Sequence, residues 1–288
     1  MLWGESVDLK GTIENIAKQC EMNFIKKEGD YTDEAGLLVC GECHTRKQTE
    51  VKLFGEIKRP YCSCKCETER RNAEKEQRKQ AELQREINKM RQMAFPKEER
   101  EKMQQWTFAN DDMTNERITK AMQNYVDNFD ELKKQGKGLL LYGMCGTGKT
   151  YAACEVANAL IDKGYSVMVT NFARVINSLQ ATFEKQECID NLNRYSLLVI
   201  DDLGIERDTP FAKEQVYNII DSRYRAGLPM IITTNLSIDK IKSPEDIENI
   251  RIYDRILERC FPIEVTGISR RRKAVRESYG DMKDLLGL

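Results

Sequence analysis

The chain has 288 residues, of which 40% are hydrophobic and 32% are charged, so it can bury a core and is not disordered throughout. Its 46 Lys and Arg residues balance 47 Asp and Glu residues, and the net charge of -1 excludes a general positive field for nucleic acid. No apolar stretch approaches the roughly 18 residues of a membrane span, so we expect a cytoplasmic protein with no membrane partner.

The N-terminal segment contains a cluster of cysteines. Residues 12–20 predict a short helix and residues 28–30 predict a turn. Five of the ten cysteines then fall within residues 40–66, with glycine and proline between the two halves of the cluster. Because the N-terminal sequence has no export signal, this clustering favours a metal site over a disulfide framework. We expect a small metal-binding domain over residues 1–66.

The segment at 67–106 is dominated by charge. Of the 39 residues from Glu67 to Gln105, 20 are charged, and pairs such as Glu67 with Arg71 have the four-residue spacing of one helix face. This composition predicts a charged helical linker with a short apolar docking stripe. A nucleic-acid-binding arm is a weaker interpretation because the two signs of charge are mixed.

The remainder of the chain, residues 107–288, alternates short apolar runs with segments long enough for helices. The runs predict five strands, at residues 138–142, 166–170, 197–201, 229–234 and 261–265. Helices are predicted at residues 151–163 and 211–226, among others. Apolar strands that alternate with helices are typical of an α/β domain with a mostly parallel sheet covered on both faces.

Residues 143–150, GMCGTGKT, match the phosphate-binding pattern G-x-x-x-x-G-K-[ST] between a predicted strand and a predicted helix. Glycines let the backbone curl so that successive N–H groups face phosphate oxygens at a helix N-terminus. Lys149 is expected to neutralise the β- and γ-phosphates, and the Thr150 hydroxyl is expected to ligate Mg²⁺. The predicted nucleotide-binding residues of this loop are Gly143, Gly146, Thr147, Gly148, Lys149 and Thr150.

Two other predicted strands end in polar residues. Asp201 and Asp202 follow the apolar run at 197–200, and Asn235 follows the run at 229–234. Ligands bind at the carboxyl ends of strands in such sheets, so we expect Asp201 to hold Mg²⁺, Asp202 to orient or deprotonate the attacking water, and Asn235 to hold that water. Turn-forming aspartates and a helix-capping asparagine are the alternatives.

Five ordered motifs resemble the DnaC/DnaI-type helicase loaders of the AAA+ class, most closely the phage-type DnaC-like proteins, with IstB transposition ATPases as near relatives. The motifs are the loop at 143–150, LLVIDDLG at 197–204, IITTN at 231–235, RIYDRILER at 251–259 and GISRRRK at 267–273. The resemblance implies a sheet order of 5-1-4-3-2, a minimal lid, ATP bound between protomers, and self-association into a ring or spiral. It also implies a bacterial, phage or prophage protein.

The resemblance assigns two arginines to the reaction. Arg255 falls where the family has the arginine finger that reaches a neighbour's γ-phosphate, although Arg251 and Arg259 lie one turn away and leave the register open. A solvated charged helix face is the alternative for Arg255. Arg271 aligns with the arginine that contacts the γ-phosphate within the same chain. Asp202 stands where many AAA+ proteins have glutamate, so its reach as a base is shorter.

For the cysteine cluster, the resemblance favours Cys40, Cys43, Cys64 and Cys66 as ligands of a structural Zn²⁺, with Cys62 and His44 in reserve. Free or redox-active thiols are the alternative. The family further implies that the N-terminal domain binds a hexameric replicative helicase. The resulting hypothesis is an ATP-dependent loader of that helicase onto single-stranded DNA, contacted by a strip that includes Arg174, Phe183 and Lys185. The alternatives are an IstB-like transposition ATPase acting on duplex DNA and a non-hydrolysing scaffold.

Overall fold

The computed structural model describes residues 26–53, 55–204, 209–244, 246–267, 269, 279, 282–283 and 285–286. The expected helix at 12–20 lies outside these residues. The chain forms two units, residues 1–83 and 84–288, each of which is described by itself below. Among the helices described, none is both long enough and apolar enough to cross a membrane.

The first unit is built from four short strands. They form two antiparallel pairs, β1 (Tyr31–Thr32) with β2 (Leu38–Val39), and β3 (Val51–Leu53) with β4 (Glu56–Lys58). Few apolar side chains are buried here, so the strands alone cannot supply much hydrophobic stabilisation. The buried apolar residues described in this unit are Leu37, Leu38, Val39, Cys40 and Cys64.

Helix α1 (Lys65–Ala94) begins inside the cysteine cluster and has 30 residues. Its first five turns are mostly exposed, as expected for a helix with so much charge. The predicted linker is therefore helical as far as Ala94, and the helix stops before Pro96 because the residue preceding a proline disfavours helical backbone angles. Near its end, Ile87 and Ala94 are buried in the core of the second unit.

The second unit contains a parallel five-stranded sheet. Its strands are β5 (Gly138–Tyr142), β6 (Val167–Asn171), β7 (Leu197–Leu203), β8 (Met230–Thr234) and β9 (Cys260–Glu264). They lie in the order β6-β7-β8-β5-β9, and every neighbouring pair is parallel. Counted within the sheet, this is the predicted order 5-1-4-3-2, so the predicted α/β fold class is confirmed.

Helices cover both faces of the sheet. They are α2 (Arg100–Gln104), α3 (Glu116–Asp127), α4 (Phe129–Gln135), α5 (Lys149–Asp162), α6 (Phe172–Ala181), α7 (Lys185–Leu192), α8 (Pro210–Arg225), α9 (Ile238–Lys242) and α10 (Ile247–Arg259). Successive residues of β5 point to opposite faces: Leu139 and Leu141 join the core on the α3 and α5 side, and Leu140 joins the core on the α8 and α10 side.

Residues 172–192, which contain the strip named for DNA contact, form two helices instead of one. Helix α6 ends at Ala181, Thr182 is extended, and Lys185 begins α7. The Thr182 hydroxyl accepts a hydrogen bond from the Glu184 backbone N–H at 3.1 Å, and such local bonds compete with helix formation. The intervening Phe183 is fully exposed.

Candidate functional site

The phosphate-binding motif forms a tight loop between β5 and the N-terminus of α5. Gly146 and Gly148 have φ values of 85° and 101°, a backbone region that favours glycine. A Cβ atom at Gly146 would lie 2.2 Å from the Ser269 hydroxyl oxygen, so no larger residue fits there without displacement. Gly148 is the N-cap of α5, and the helix therefore presents its free N–H groups to the loop.

Lys149 connects this loop to the end of β8. Its buried ammonium group donates hydrogen bonds to the carbonyls of Gly143 at 2.9 Å and Met144 at 2.8 Å, and to Asn235 Oδ1 at 2.8 Å. The Thr147 hydroxyl donates to the same Met144 carbonyl at 3.0 Å. The structure thus brings together Lys149 and Asn235, which are 86 positions apart in the sequence.

Thr150 and Asp201 also meet at this edge of the sheet. The Thr150 hydroxyl donates to Asp201 Oδ1 at 2.9 Å. Adjacent ligand oxygens of an octahedral magnesium ion lie about 3 Å apart, given Mg–O distances of about 2.1 Å. The spacing of these two oxygens, and their hard-donor chemistry, therefore fit Mg²⁺.

Thr233 supports both aspartates and was missed by the sequence analysis. Its buried hydroxyl donates to Asp201 Oδ1 at 2.5 Å and accepts from the Asp202 backbone N–H at 3.0 Å. The motif at 231–235 contains this threonine, but nothing in the sequence separates its role from that of Thr234. Burial raises the pKa of Asp201; the charge of Asp202 adds to the rise, and hydrogen bonds from the two threonine hydroxyls of Thr150 and Thr233 oppose it.

Asp202 lies in an irregular part of β7. The pairing of β7 with β8 shifts register between Ile200 and Leu203, and Asp202 has a φ of 60°. Such bulges bend a strand and redirect its side chains, and they are frequent beside active sites. The backbone of Asp202 therefore leaves the regular strand geometry that Asp201 keeps, although the two residues are adjacent in sequence.

The three arginines of α10 have different surroundings. Arg255 donates to Asp221 Oδ1 at 2.7 Å and to the Tyr217 hydroxyl at 3.0 Å, and its guanidinium lies 4.8 Å from the Tyr217 ring centre. Arg259 donates to the Gln135 carbonyl at 3.3 Å. Arg251 is exposed. Arg255 is therefore held by its own chain, whereas Arg251 faces solvent. Arg271 and the basic cluster around it lie outside the described residues.

A small pocket adjoins the phosphate-binding loop on the α3 side. The Thr119 hydroxyl donates to Asp111 Oδ2 at 2.5 Å, and the Asn115 side-chain amide donates to the Thr266 carbonyl at 2.8 Å. The pocket could not be predicted from the sequence, because its residues carry no motif and converge only through folding. It is lined by Asp111, Asn115, Ile118, Thr119, Thr147, Gly148, Tyr151, Ala152, Glu155 and Val265.

The first unit brings the four predicted metal ligands together. The Sγ atoms of Cys40, Cys43, Cys64 and Cys66 all lie within 4.8 Å of one another, with Cys40 to Cys66 at 3.6 Å and Cys64 to Cys66 at 3.3 Å. Tetrahedral zinc with Zn–S bonds of about 2.3 Å separates its sulfurs by about 3.8 Å. The number, chemistry and spacing of these thiols therefore fit zinc.

The surroundings of the cluster favour thiolates unevenly. A hydrogen bond with the Thr45 hydroxyl lowers the pKa of Cys43 to about 5, whereas a hydrogen bond with the Cys64 thiol, together with burial, raises the pKa of Cys66. The two reserve ligands bind elsewhere: Cys62 Sγ contacts the Arg46 carbonyl at 3.6 Å, and His44 Nδ1 lies 3.3 Å from the Tyr31 hydroxyl.

The proposed DNA strip is not a continuous basic surface. Arg174 forms an ion pair with Glu98 at 2.7 Å, and the Lys185 ammonium lies 5.1 Å from the centre of the Phe211 ring. Of the three side chains named for this strip, Phe183 and Lys185 are exposed and Arg174 is partly buried.

The sequence was compared with the profiles of known protein families. The sequence profile of the family described as "IstB-like ATP binding protein" matches residues 68–278, more than half of the chain. The chain belongs to this family. Like other IstB-like ATP binding proteins of the AAA+ class, it carries an ATPase domain with a five-stranded parallel sheet.

Relatives of this IstB-like protein include proteins named helicase loaders. "Replicative helicase loader DnaI" of Bacillus subtilis (strain 168) is 30% identical over 161 residues, which cover 51% of this chain and 51% of that protein. "Replicative helicase loader DnaC" of Escherichia coli (strain K12) is 26% identical over 144 residues, which cover 48% of this chain and 56% of that protein. The chain thus spans about half the length of the curated relatives it matches.

A crystal structure of DnaI has a TM-score of 0.51 to this chain at 25% sequence identity. The match covers 62% of this chain and 95% of that structure. The predicted resemblance to the DnaC/DnaI-type AAA+ proteins is therefore confirmed.

Proposed function

We propose that the chain binds ATP with Mg²⁺ at the loop of residues 143–150 and hydrolyses it in contact with a second copy. The observation that carries this proposal is the convergence of Lys149, Thr150, Asp201 and Asn235 at one edge of the sheet, with bonds of 2.8 to 2.9 Å between them. Backbone N–H groups at the start of α5 supply the anion site beside them.

Each side chain at this edge has a distinct part in the proposed reaction. Lys149 neutralises charge on the β- and γ-phosphates, and Thr150 with Asp201 provides the oxygen ligands for Mg²⁺, which supplies charge stabilisation when bound. Asp202 orients the attacking water and accepts its proton, while Asn235 holds that water. The pocket on the α3 side of the same loop receives the adenine ring of ATP.

Arg255 of a second copy completes the proposed site. A guanidinium that approaches the γ-phosphate stabilises the negative charge of the transition state. Because Arg255 is bonded to Asp221 and Tyr217 of its own chain, it must exchange these partners for the phosphate when two copies assemble. Hydrolysis thus depends on assembly, into a ring or spiral. Arg271 is proposed to contact the same phosphate within its own chain.

At the level of the whole protein, we propose an ATP-dependent loader of a hexameric replicative helicase onto single-stranded DNA. It acts in a bacterial cell and is encoded by the bacterium or by a phage or prophage. The names of the relatives DnaI and DnaC support this assignment. The helicase contact is assigned to the first unit, in which a structural Zn²⁺ bound by Cys40, Cys43, Cys64 and Cys66 maintains the fold. The exposed Phe183 is the candidate for stacking on a DNA base.

Replacing Lys149 with alanine tests the nucleotide site. We expect Lys149→Ala to abolish ATP binding, measured by equilibrium titration with a fluorescent ATP analogue. Lys163→Ala is the matched control, because that lysine directly follows the last residue of the same helix and donates hydrogen bonds to the Val126 carbonyl and the Asp127 carboxylate. Unchanged affinity in Lys149→Ala would remove the assignment of the phosphate site.

Helicase delivery tests the whole-protein function. Purified chain, a hexameric replicative helicase and closed-circular single-stranded DNA are combined with ATP, and DNA-bound helicase is counted after gel filtration. We expect loading that depends on ATP and is lost in Lys149→Ala. A closed circle has no end for threading, so helicase found on it must have been delivered by ring opening.

The family profile itself favours one second candidate, a transposition-targeting ATPase of the IstB type. Both candidates share the nucleotide chemistry and differ in partner and DNA. Affinity purification from the native host distinguishes them, since a helicase is expected for a loader and a transposase for an IstB-type protein. Duplex DNA that stimulates ATP hydrolysis more than single-stranded DNA would also favour the second candidate.

A further inference from the structure

A buried ion pair lies beside the four-cysteine cluster. Lys47 Nζ and Asp30 Oδ2 are 2.7 Å apart, and their side chains are only 1% and 2% exposed. The neighbouring pair in sequence, Arg46 with Asp33, is also 2.7 Å long but has side chains that are 59% and 20% exposed. Charged residues are rarely buried this fully unless they have a specific partner or role.

Asp30 connects the pair to the first two cysteines. Its Oδ1 atom accepts a hydrogen bond from the backbone N–H of Gly41 at 3.2 Å, and Gly41 lies between Cys40 and Cys43. A Cβ atom at Gly41 would lie 2.1 Å from the Gly29 carbonyl oxygen, so the turn before Asp30 rests directly on this loop. The carboxylate therefore fixes the backbone that presents the two thiols.

Lys47 connects the two halves of the cluster. Its backbone N–H donates to the Leu38 carbonyl at 2.7 Å, and its carbonyl accepts from the Cys62 N–H at 2.8 Å, just before Cys64. Its ammonium group also interacts electrostatically with the thiols of Cys40 and Cys64. Lys47 thus holds the backbone two residues before Cys40 and two residues before Cys64.

The charge of a zinc ion bound by four thiolates explains why a buried lysine would lie beside the cluster. Four thiolates around one Zn²⁺ leave a net charge of about -2, counted from the ligand and metal charges. In a small, partly buried site, a nearby ammonium group offsets part of that charge. An ion pair used only for stability is an inefficient choice, because burying two charges costs several kcal/mol of desolvation and an apolar pair often replaces it without loss.

We propose that Asp30 and Lys47 are positioning residues of the metal site: Asp30 orients the Cys40 to Cys43 loop through Gly41, and Lys47 offsets the negative charge of the zinc-bound thiolates. This inference rests on the zinc site proposed above. Residues outside the ligand shell typically change metal affinity by about 10- to 100-fold when replaced. The same range is expected here.

The test compares the full-length chain with Lys47→Met, which keeps an unbranched side chain one atom shorter and removes its charge, and with the matched control Arg46→Gln. Zinc affinity is measured by chelator competition, and the geometry of the site is measured from the Co²⁺ absorption spectrum. For Lys47→Met, we expect about 10- to 100-fold weaker zinc binding, an unchanged tetrahedral four-sulfur Co²⁺ spectrum, and faster alkylation of the zinc-bound thiolates. For Arg46→Gln, we expect wild-type values.

Asp30→Asn is the second variant. It keeps the size of the side chain but loses one acceptor oxygen, and we expect faster zinc transfer to the chelator. Zinc affinity within threefold of wild type in both Lys47→Met and Asp30→Asn would overturn the proposal. Loss of the tetrahedral Co²⁺ spectrum in Lys47→Met would also overturn it, since the pair would then act only on folding. A wild-type chain that binds neither metal would instead overturn the zinc site itself.

Discussion

The first unit, which contains the cysteine cluster, buries far less apolar side chain than the second unit, which contains the five-stranded sheet. In the first unit, the described apolar core consists of a few residues around β2 and two of the cysteines themselves. In the second unit, apolar side chains fill both faces of a five-stranded sheet. Because burial of apolar area is the main source of stability, we expect the sheet to fold without a metal and the first unit to need the additional free energy of the proposed zinc ion.

The two units also differ in how their sites are completed. All four thiols of the cysteine cluster come from one unit of one chain. The proposed nucleotide site has its phosphate loop and carboxylates in place within one chain, and only its proposed arginine finger would be supplied by a second copy. The first site is therefore suited to a permanent structural ion, and the second to a ligand whose turnover reports assembly.

The largest expected effect is unfolding of the first unit while the second unit stays folded. In Cys40→Ser combined with Cys43→Ser, we expect purified chain to lose its single zinc, and backbone amides of β1 to β4 to lose hydrogen-exchange protection. Zinc contributes about 10 to 16 kcal/mol to small zinc domains at pH 7. Amides of β5 to β9 should retain their protection, because the sheet core does not depend on the metal.

Cys62→Ser is the matched control for this double variant. Its sulfur contacts the Arg46 carbonyl instead of the cluster, so we expect the variant to retain one zinc per chain by metal analysis. A double variant that keeps full protection in β1 to β4 would show that the first unit does not need metal, and the contrast between the two units would disappear.

A smaller effect is expected for the arginine finger. Arg255→Ala should leave ATP affinity unchanged and lower steady-state hydrolysis at least tenfold, a conservative value for fingers supplied by a neighbour, which contribute about 10³ to 10⁵. Arg225→Ala is the control, because Arg225 is the other, more exposed partner of Asp221 at 2.8 Å. Normal turnover in Arg255→Ala would move the finger to Arg251 or Arg259.

Much of the sheet could be predicted from the sequence because its strands are short, apolar and buried on both faces. The predicted strand at 138–142 coincides with β5, and the one at 166–170 differs from β6 by one residue at each end. The phosphate loop was equally predictable, because its glycines and lysine all fall within residues 143–150. Asp201 and Asn235 could be expected near it because parallel strands end at the same edge of the sheet.

The contacts that sequence reasoning missed involve polar residues with no motif. Arg223 is completely buried and donates to the carbonyls of Leu192, Ser196 and Pro229, although an arginine in an amphipathic helix is normally expected at the surface. Lys47 is a second example. Neither position carries a local signal, because the burial of a charged side chain depends on partners that only the tertiary fold supplies.

The smallest expected effect concerns Asp201, whose buried carboxylate is a proposed magnesium ligand and also lowers the free energy of unfolding at neutral pH. Burial raises the pKa of Asp201. At pH values between the ordinary and the raised pKa, the folded chain therefore keeps a proton that the unfolded chain has released. Its contribution to the free energy of unfolding is therefore complete below the ordinary Asp pKa of about 3.9 and is lost as the pH rises through the raised value. At neutral pH, the ionised carboxylate destabilises the nucleotide-free fold.

Asp201→Asn removes this penalty and also removes the proposed magnesium ligand. We expect no ATP hydrolysis and, for the nucleotide-free chain at pH 7.5, a melting temperature about 2 to 4 °C higher, the shift that about 1 kcal/mol produces in a domain of this size. The difference from wild type should shrink as the pH falls towards about 4. Asp239→Asn, which changes an exposed carboxylate, is the control and should melt at the wild-type temperature at pH 7.5. If Asp201→Asn melted at or below the wild-type temperature at pH 7.5, the carboxylate would be stabilising the fold of the sheet domain, and its burial would need no functional explanation.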